Sequence, residues 1–322
     1  MVLSIALKLG VCSALTTTRE PVGDFISPDA FRSIADFIYE GGDEQTASTI
    51  PKLPSLKEQE RKILKNLSKG DVIYVYVKCL DHFIKNVHPK IRCPYIFLCT
   101  DDDNPIFDKR YLSFINDPKI INCYVRNINI DHPKVQPIPI GIANPFWEMF
   151  YHKRDTTIIS DFLNIDLPRD GFVYMNINTG TFPLERCPVW DLFHQSTFVT
   201  TLNGVCYKDY LTDLKQHRFC ISPSGNGVEC HRTWESMYMG CIPIIRPMVK
   251  VPLFEPAVGY DKLYYDLPVI LVSDWKDVTE EFLNEKFEEF KHRKFNMDKL
   301  YFPYWKNLIK TESLQYKRKK IR

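Results

Sequence analysis

The residues best suited to chemistry lie between Arg218 and Arg246. Phe219-Cys220-Ile221-Ser222 reads as a short buried strand, Pro223-Ser224-Gly225-Asn226-Gly227 as a loop, and the stretch opening near Cys230 as a helix. Gly225 and Gly227 carry no side chain, so backbone N–H groups in the loop can approach an anion closely. The first turn of the following helix adds unpaired N–H groups and a positive dipole end, a setting that favours a diphosphate. Arg232 falls in that turn, where its guanidinium can contact the same phosphates with two parallel bonds. Glu235, three residues on and on the same helical face, can accept hydrogen bonds from ribose hydroxyls. Each part alone is ordinary, because Gly-Asn-Gly is a common turn and Arg and Glu at i and i+3 often form a simple helix pair. The order strand, glycine loop, Arg, Glu and then Gly240-Cys241-Ile242-Pro243-Ile244-Ile245 at the next strand is far more restrictive.

A second cluster, Asp101-Asp102-Asp103, follows the apolar run Pro94 to Thr100. Consecutive carboxylates suit a hard cation. One carboxylate within reach of an acceptor hydroxyl also suits general-base catalysis. Asp103 and, behind it, Asp101 are the candidates for that base, with His132 and Glu148 as alternatives; a solvated acidic loop is the plain reading. Cys230 and His231 are adjacent and so poorly placed to share a tetrahedral zinc ion.

The elements that must position these groups alternate regularly. Runs over 71–78, 94–100, 120–125 and 136–142 read as strands of a first sheet, with a helix over 80–87. The turn composition Pro168-Arg169-Asp170-Gly171 suits a crossing between domains. Beyond it, strands over 172–177, 197–202, 219–222 and 241–246 alternate with helices over 184–194, 208–217 and 230–239, which implies a parallel sheet covered on both faces. A strand over 269–272, a charged helix over 279–291 capped by Asp277 or Thr279, and an aromatic stretch over 297–309 follow. The chain therefore reads as α/β, two Rossmann-like domains over 1–165 and 166–322, with the last helix free to pack back on the first domain. Ligands in such open sheets bind outside the carboxyl ends of the strands, here an interdomain cleft.

Composition agrees with a folded two-domain chain: 322 residues, 44% hydrophobic and 25% charged. The 42 basic and 40 acidic side chains leave a net charge of +2, too little field to point to nucleic acid. The basic run Lys317 to Arg322 reads as a frayed solvated tail. The apolar segment Val2 to Leu15, interrupted by Lys8, reads as a buried strand and not as a membrane anchor. Ten cysteines without a CxxC pair suggest reduced thiols and a cytoplasmic setting. No GxGxxG follows a strand with an acidic residue about 20 positions on, which counts against a nucleotide-dependent oxidoreductase.

The run Phe219 to Gly227, leading to His231-Arg232-Thr233-Trp234-Glu235 and then Gly240-Cys241-Ile242-Pro243-Ile244, resembles the exostosin-like glycosyltransferases, family 47 and its relatives in bacteria and large DNA viruses. Cys99 to Asp103, Asn127 with His132-Pro133-Lys134, and Ile138 to Ile142 echo the family's order. The resemblance implies a GT-B fold and a nucleotide-sugar donor, UDP-linked, held by the C-terminal domain without an essential metal or cofactor. It implies transfer, with inversion, to a glycan or glycoprotein acceptor. It places Ser222, Pro223, Gly225, Asn226, Gly227, Glu229, His231, Arg232 and Glu235 on the donor, with Arg232 on the phosphates and Glu235 on the ribose. Asn176, Asn178 and Arg186 match a further donor position. In a GT-B arrangement the Asp101 to Asp103 triplet belongs to the acceptor side, which favours a base over a metal site. Glu229 stands where relatives often carry Asp, and the anchor and second catalytic domain of human exostosins have no counterpart, so heparan-type substrates are not implied. A GT-B shell that binds nucleotide sugars or glycans without transferring them is the alternative.

Overall fold

The computed structural model describes residues 22–41, 53–101, 103, 107–145, 155–248 and 256–318. In the first half, helix α1 (Pro28–Ser33) precedes strand β1 (Phe37–Tyr39), and helix α2 (Leu56–Asn66) precedes β2 (Val72–Tyr76). Strands β3 (Tyr95–Thr100), β4 (Phe107–Asp108), β5 (Ile120–Val125), β6 (Ile128–Asn129) and β7 (Val135–Pro137) follow. Five of them form a parallel sheet in the order β1-β2-β3-β5-β7, while β4 and β6 pair separately. The side chains of β2 and β3 are buried almost throughout, as a sheet covered on both faces requires.

The second half holds β8 (Gly171–Met175), α3 (Pro183–Phe193), β9 (Val199–Thr201), α4 (Tyr207–Gln216), β10 (His217–Ile221), α5 (His231–Tyr238), β11 (Ile242–Ile245) and β12 (Ile270–Leu271). Its sheet is parallel in the order β12-β11-β10-β8-β9. Counted from its own first strand, this is the doubly wound order 2-1-3-4-5, whose direction of winding reverses between β8 and β10. The two parallel sheets with their helices give the α/β GT-B architecture. Helices α6 (Glu280–His292) and α7 (Phe302–Arg318) close the described chain. Among the described residues no helix is long and apolar enough to cross a membrane.

Alternation along the second sheet sorts its side chains into two cores. Val173, Met175, Phe219, Ile221 and Ile244 meet α3 and α6 on one face. Tyr174, Cys220 and Ile245 face the other way, with Leu211, Trp234 and Met237, into a cluster that continues through the whole first half. The helix carrying Arg232 is therefore an interface element, packed between the two sheets.

Two expectations are corrected. The strand placed over 136–142 ends at Pro137: Pro137 and Pro139 have no N–H to donate, and Gly141 has a φ of +63°, where an added Cβ would run into the Ile26 carbonyl. The tail at Lys317 is not frayed, because Lys317 lies in the last turn of α7 with its Nζ 2.6 Å from Asp71. Helix α7 lies back across the first half, its Ser313 hydroxyl donating to the Gly70 carbonyl at 2.7 Å. Residues 319–322, the strand read over Val2 to Leu15 and the base candidate Glu148 lie outside the described residues. Of the ten cysteines, all but Cys12 are described, and each of those carries a free thiol.

Candidate functional site

At the switch point the chain leaves β8 and β10 by two neighbouring loops, Asn176 to Phe182 and Ser222 to Gly227. The first is shaped locally: the Asn178 side chain accepts from Gly180 N at 2.9 Å, and Phe182 takes a φ of +53° to start α3. Arg186, in the first turns of α3, is buried, and its Nε donates to the Ser224 carbonyl at 2.9 Å while Nη1 donates to the Asn178 carbonyl at 3.2 Å. One guanidinium thus ties the two loops together. Beside it, buried Glu185 accepts from Ser224 N at 3.1 Å and from Trp275 Nε1 at 3.1 Å, and burial raises its pKa.

Positive charge collects here. Arg186 bonds to carbonyl oxygens only, and its pKa is pushed down to about 10, first by burial and then by the charge of Arg232. Arg232 stays charged: burial opposes its charge, but Cys230, Tyr210, Cys220 and Glu235 outweigh that and raise its pKa. The buried Nε of Arg232 and the buried Nε of Arg246, which follows β11, have no hydrogen-bond partner. Among the described residues no carboxylate makes an ion pair with Arg186, Arg232 or Arg246. A buried donor left unmade costs about 1–3 kcal/mol, more when charged, so an anion in front of these groups would recover that energy.

The glycine loop is packed tightly on both sides. A Cβ on Gly225 would sit 2.9 Å from the Glu229 carbonyl, and one on Gly227 would sit 2.7 Å from Oδ1 of Asn127 in the first half. Asn127, itself at a φ of +53°, accepts from Val228 N at 3.1 Å and donates to the Asp103 carbonyl at 3.4 Å. Asn127 therefore links the candidate base segment directly to the glycine loop. Beneath the loop, Ser222, Cys230, Thr233, Arg246 and Tyr264 line a space of about 10 Å³, room for about one water. That space is too small for a nucleotide, and on the loop's other side Asn226 is exposed.

The expected donor residues divide into groups. Arg186, Arg232, Gly225 and Gly227 converge at the switch point. Ser222 is buried, its hydroxyl 3.0 Å from Thr233 Oγ1, and Pro223 is buried with its carbonyl accepting from the Cys230 thiol at 3.3 Å. Asn176 donates to the Tyr174 hydroxyl at 3.2 Å, and His231 donates from Nδ1 to the Gly141 carbonyl at 2.8 Å across the interface. Glu235 accepts from the hydroxyls of Tyr207 at 3.0 Å and Tyr210 at 2.9 Å.

Glu229 departs from expectation. Its carboxylate is turned into the interface, where Ile140 N donates to Oε1 and Trp234 Nε1 donates to Oε2 at 2.9 Å. It is a tether between the halves, and burial pushes its pKa up to about 7.

On the facing side, Asp101 follows β3 with a φ of +87° and accepts from the Tyr74 hydroxyl at 3.4 Å. Asp103 lies 3.7 Å from Arg126 Nη2 and is partly exposed. The alternative base His132 is displaced to the opposite, amino end of β7. There it accepts from Lys134 N at 3.1 Å and stands 3.1 Å from Asn116, a turn-shaping role. No three His, Cys, Asp or Glu side chains converge as metal ligands among the described residues. The sequence reading missed Arg126 and Arg246; Arg246 carried a signal, since it ends a strand at the sheet edge where ligands bind.

Residues 194–315 match the family model described as the RXYLT1 C-terminal domain. A probable glycosyltransferase of Arabidopsis thaliana is 28% identical over 79 residues, which cover 24% of this chain and only 17% of the plant protein. Among solved structures, the pneumococcal O-GlcNAc transferase GtfA in complex with UDP and GlcNAc aligns with a TM-score of 0.34 at 10% identity, over 81% of this chain and 58% of that one. The UDP-GlcNAc 2-epimerase of Methanocaldococcus jannaschii aligns with a TM-score of 0.32 at 11% identity, over 77% of this chain and 79% of that one. By sequence, then, the chain is similar to glycosyltransferases, and the family model places that similarity over the segment containing the glycine loop, Arg232 and Glu235.

Proposed function

We propose that the protein transfers a sugar from a nucleoside diphosphate donor, UDP-linked, to a hydroxyl of a glycan, with inversion and without a metal. The observation that carries this reading is the set of guanidinium groups at the switch point: Arg186 is buried, and half-buried Arg232 and Arg246 each have a buried Nε without a partner. The donor diphosphate lies against Arg186, Arg232 and the first turn of α5. As the glycosidic bond breaks, negative charge grows on the leaving diphosphate, and fixed guanidinium groups and backbone dipoles stabilise it without reorganising. Glu235 orients the ribose: a carboxylate accepts about four hydrogen bonds, and the two tyrosine hydroxyls leave the rest for sugar hydroxyls. Asp103, directed by Arg126, takes the proton from the acceptor hydroxyl, with Asp101 as the second choice.

Thermal shift with UDP tests the donor half, because a ligand that binds only the folded state raises its stability by mass action. UDP should raise the midpoint of the wild type, and Arg232→Ala should lose most of that shift together with turnover. Asp103→Asn should keep the shift and lose at least 100-fold in turnover, within the span typical of a general base. Full turnover in Arg232→Ala would refute the phosphate assignment. UDP binding without turnover of any donor in the wild type would favour a nucleotide-sugar-binding module.

A further inference from the structure

A cavity of about 970 Å³ lies away from the switch point, between α7 and the first sheet, lined by Asn122, Tyr124, Gln136, Tyr301, Tyr304 and Glu312 among others. Its size is at the upper end of the range for small-ligand sites, about 300–1,000 Å³. Its floor comes from β5 and β7 and its wall from the face of α7 that turns away from the buried Trp305 and Ile309.

The lining mixes aromatic and apolar side chains, among them Pro303 and Leu308, with amides and the carboxylates of Asp298 and Glu312. Tyr301 and Tyr304 are half-buried and both line the cavity. Glu312 is held in place by the Tyr124 hydroxyl at 2.9 Å and Asn122 Nδ2 at 3.4 Å, which leaves carboxylate lone pairs for a ligand. Gln136, Asn307 and Gln315 add amides that both donate and accept. Neither Lys nor Arg is among the described lining residues, so a phosphate would find no cation here. Flat aromatic faces suit the C–H face of a pyranose, while amides and carboxylates suit its hydroxyls. That combination fits a neutral saccharide.

We propose that this groove is a second carbohydrate site, which holds a neutral, non-reacting stretch of the acceptor glycan. The role in acceptor binding rests on the transferase reading above; the saccharide chemistry of the groove does not. The Tyr301 ring packs 5.9 Å from that of Tyr238 in the last turn of α5, whereas Arg232 lies in the first turn of the same helix. At 1.5 Å per residue those eight residues span roughly 10 Å, so Arg232 and the groove's Tyr301 stand at opposite ends of one short helix. A glycan anchored in the groove would raise the effective concentration of its reactive end at the cleft.

Calorimetric titration of the full chain with neutral oligosaccharides of glucose, galactose, mannose, xylose and N-acetylglucosamine tests the site. At least one should bind the wild type, and Tyr304→Ala and Gln136→Ala should each weaken that binding tenfold or more. Tyr304→Ala should leave the UDP-induced thermal shift unchanged, and Arg232→Ala should leave saccharide binding unchanged. The proposal is overturned if no saccharide binds, if binding survives both groove variants, or if it is lost in Arg232→Ala, which would put the saccharide in the donor cleft. A concentration-dependent dimer abolished by Tyr304→Ala, with no saccharide binding, would assign the groove to a second copy of the chain and also overturn it. Saccharide binding in a protein that shows no UDP shift would support the groove while refuting the donor assignment.

Discussion

Glu229 shows how burial gives one carboxyl group two consequences. Its oxygens accept from Ile140 N and Trp234 Nε1, so it joins the halves, yet burial pushes its pKa from 4.5 up to about 7. In the unfolded chain the group ionises near 4.5, whereas in the folded chain it holds its proton to about pH 7. Across that window the folded state binds more protons than the unfolded state, so stability falls as pH rises from about 4.5 to about 7 and then levels off. Melting midpoints taken from pH 5 to pH 8 should contain this slope in the wild type and lose it in Glu229→Gln. An unchanged slope in the variant would assign it to another group. The residue type alone did not disclose this role, because a Glu five positions before Trp234 looks the same whether its partner is a ribose or a backbone amide from residue 140.

At the scale of elements, α2 shows a signal that was legible and went unread. Ser55-Leu56-Lys57-Glu58 is a capping box: the Ser55 hydroxyl accepts from Glu58 N at 3.3 Å, and Glu58 returns a bond to Ser55 N at 2.8 Å. Gln59 on the same helix exchanges two bonds of 2.8 Å with the backbone of Glu40, just after β1, and so fixes α2 against the first sheet. Ser55→Ala should cost about 1 kcal/mol in urea denaturation, and a loss below 0.3 kcal/mol would mean that packing alone holds the helix start. Strands of the second sheet were readable because alternating Phe219, Cys220 and Ile221 face two different cores. The β-α rhythm likewise made the loops after β8 and β10 readable as the candidate site. Strand β1, only three residues long, and the early end of β7 were not readable, since each depends on pairing with distant partners. Arg126 was equally hidden: only the fold brings it to Asp103.

In the whole molecule the two halves share one apolar cluster and a row of polar ties: His231 to Gly141, Glu229 to Ile140, and Asn127 to Val228. Each tie has one end between Val228 and His231, the stretch that joins the glycine loop to α5. The surface that would hold the donor is thus also the surface that joins the halves. The contact of Gly227 with Asn127 leaves no room for a Cβ, the nearest approach being 2.7 Å. The contact predicts that positions 227 and 127 vary together. Among related proteins, any residue larger than Gly at 227 should occur with Gly or Ala at 127, and a pair count in an alignment checks it. A lineage that enlarged the loop alone would have had to swing the Asn127 amide aside and give up its tie to Val228 N.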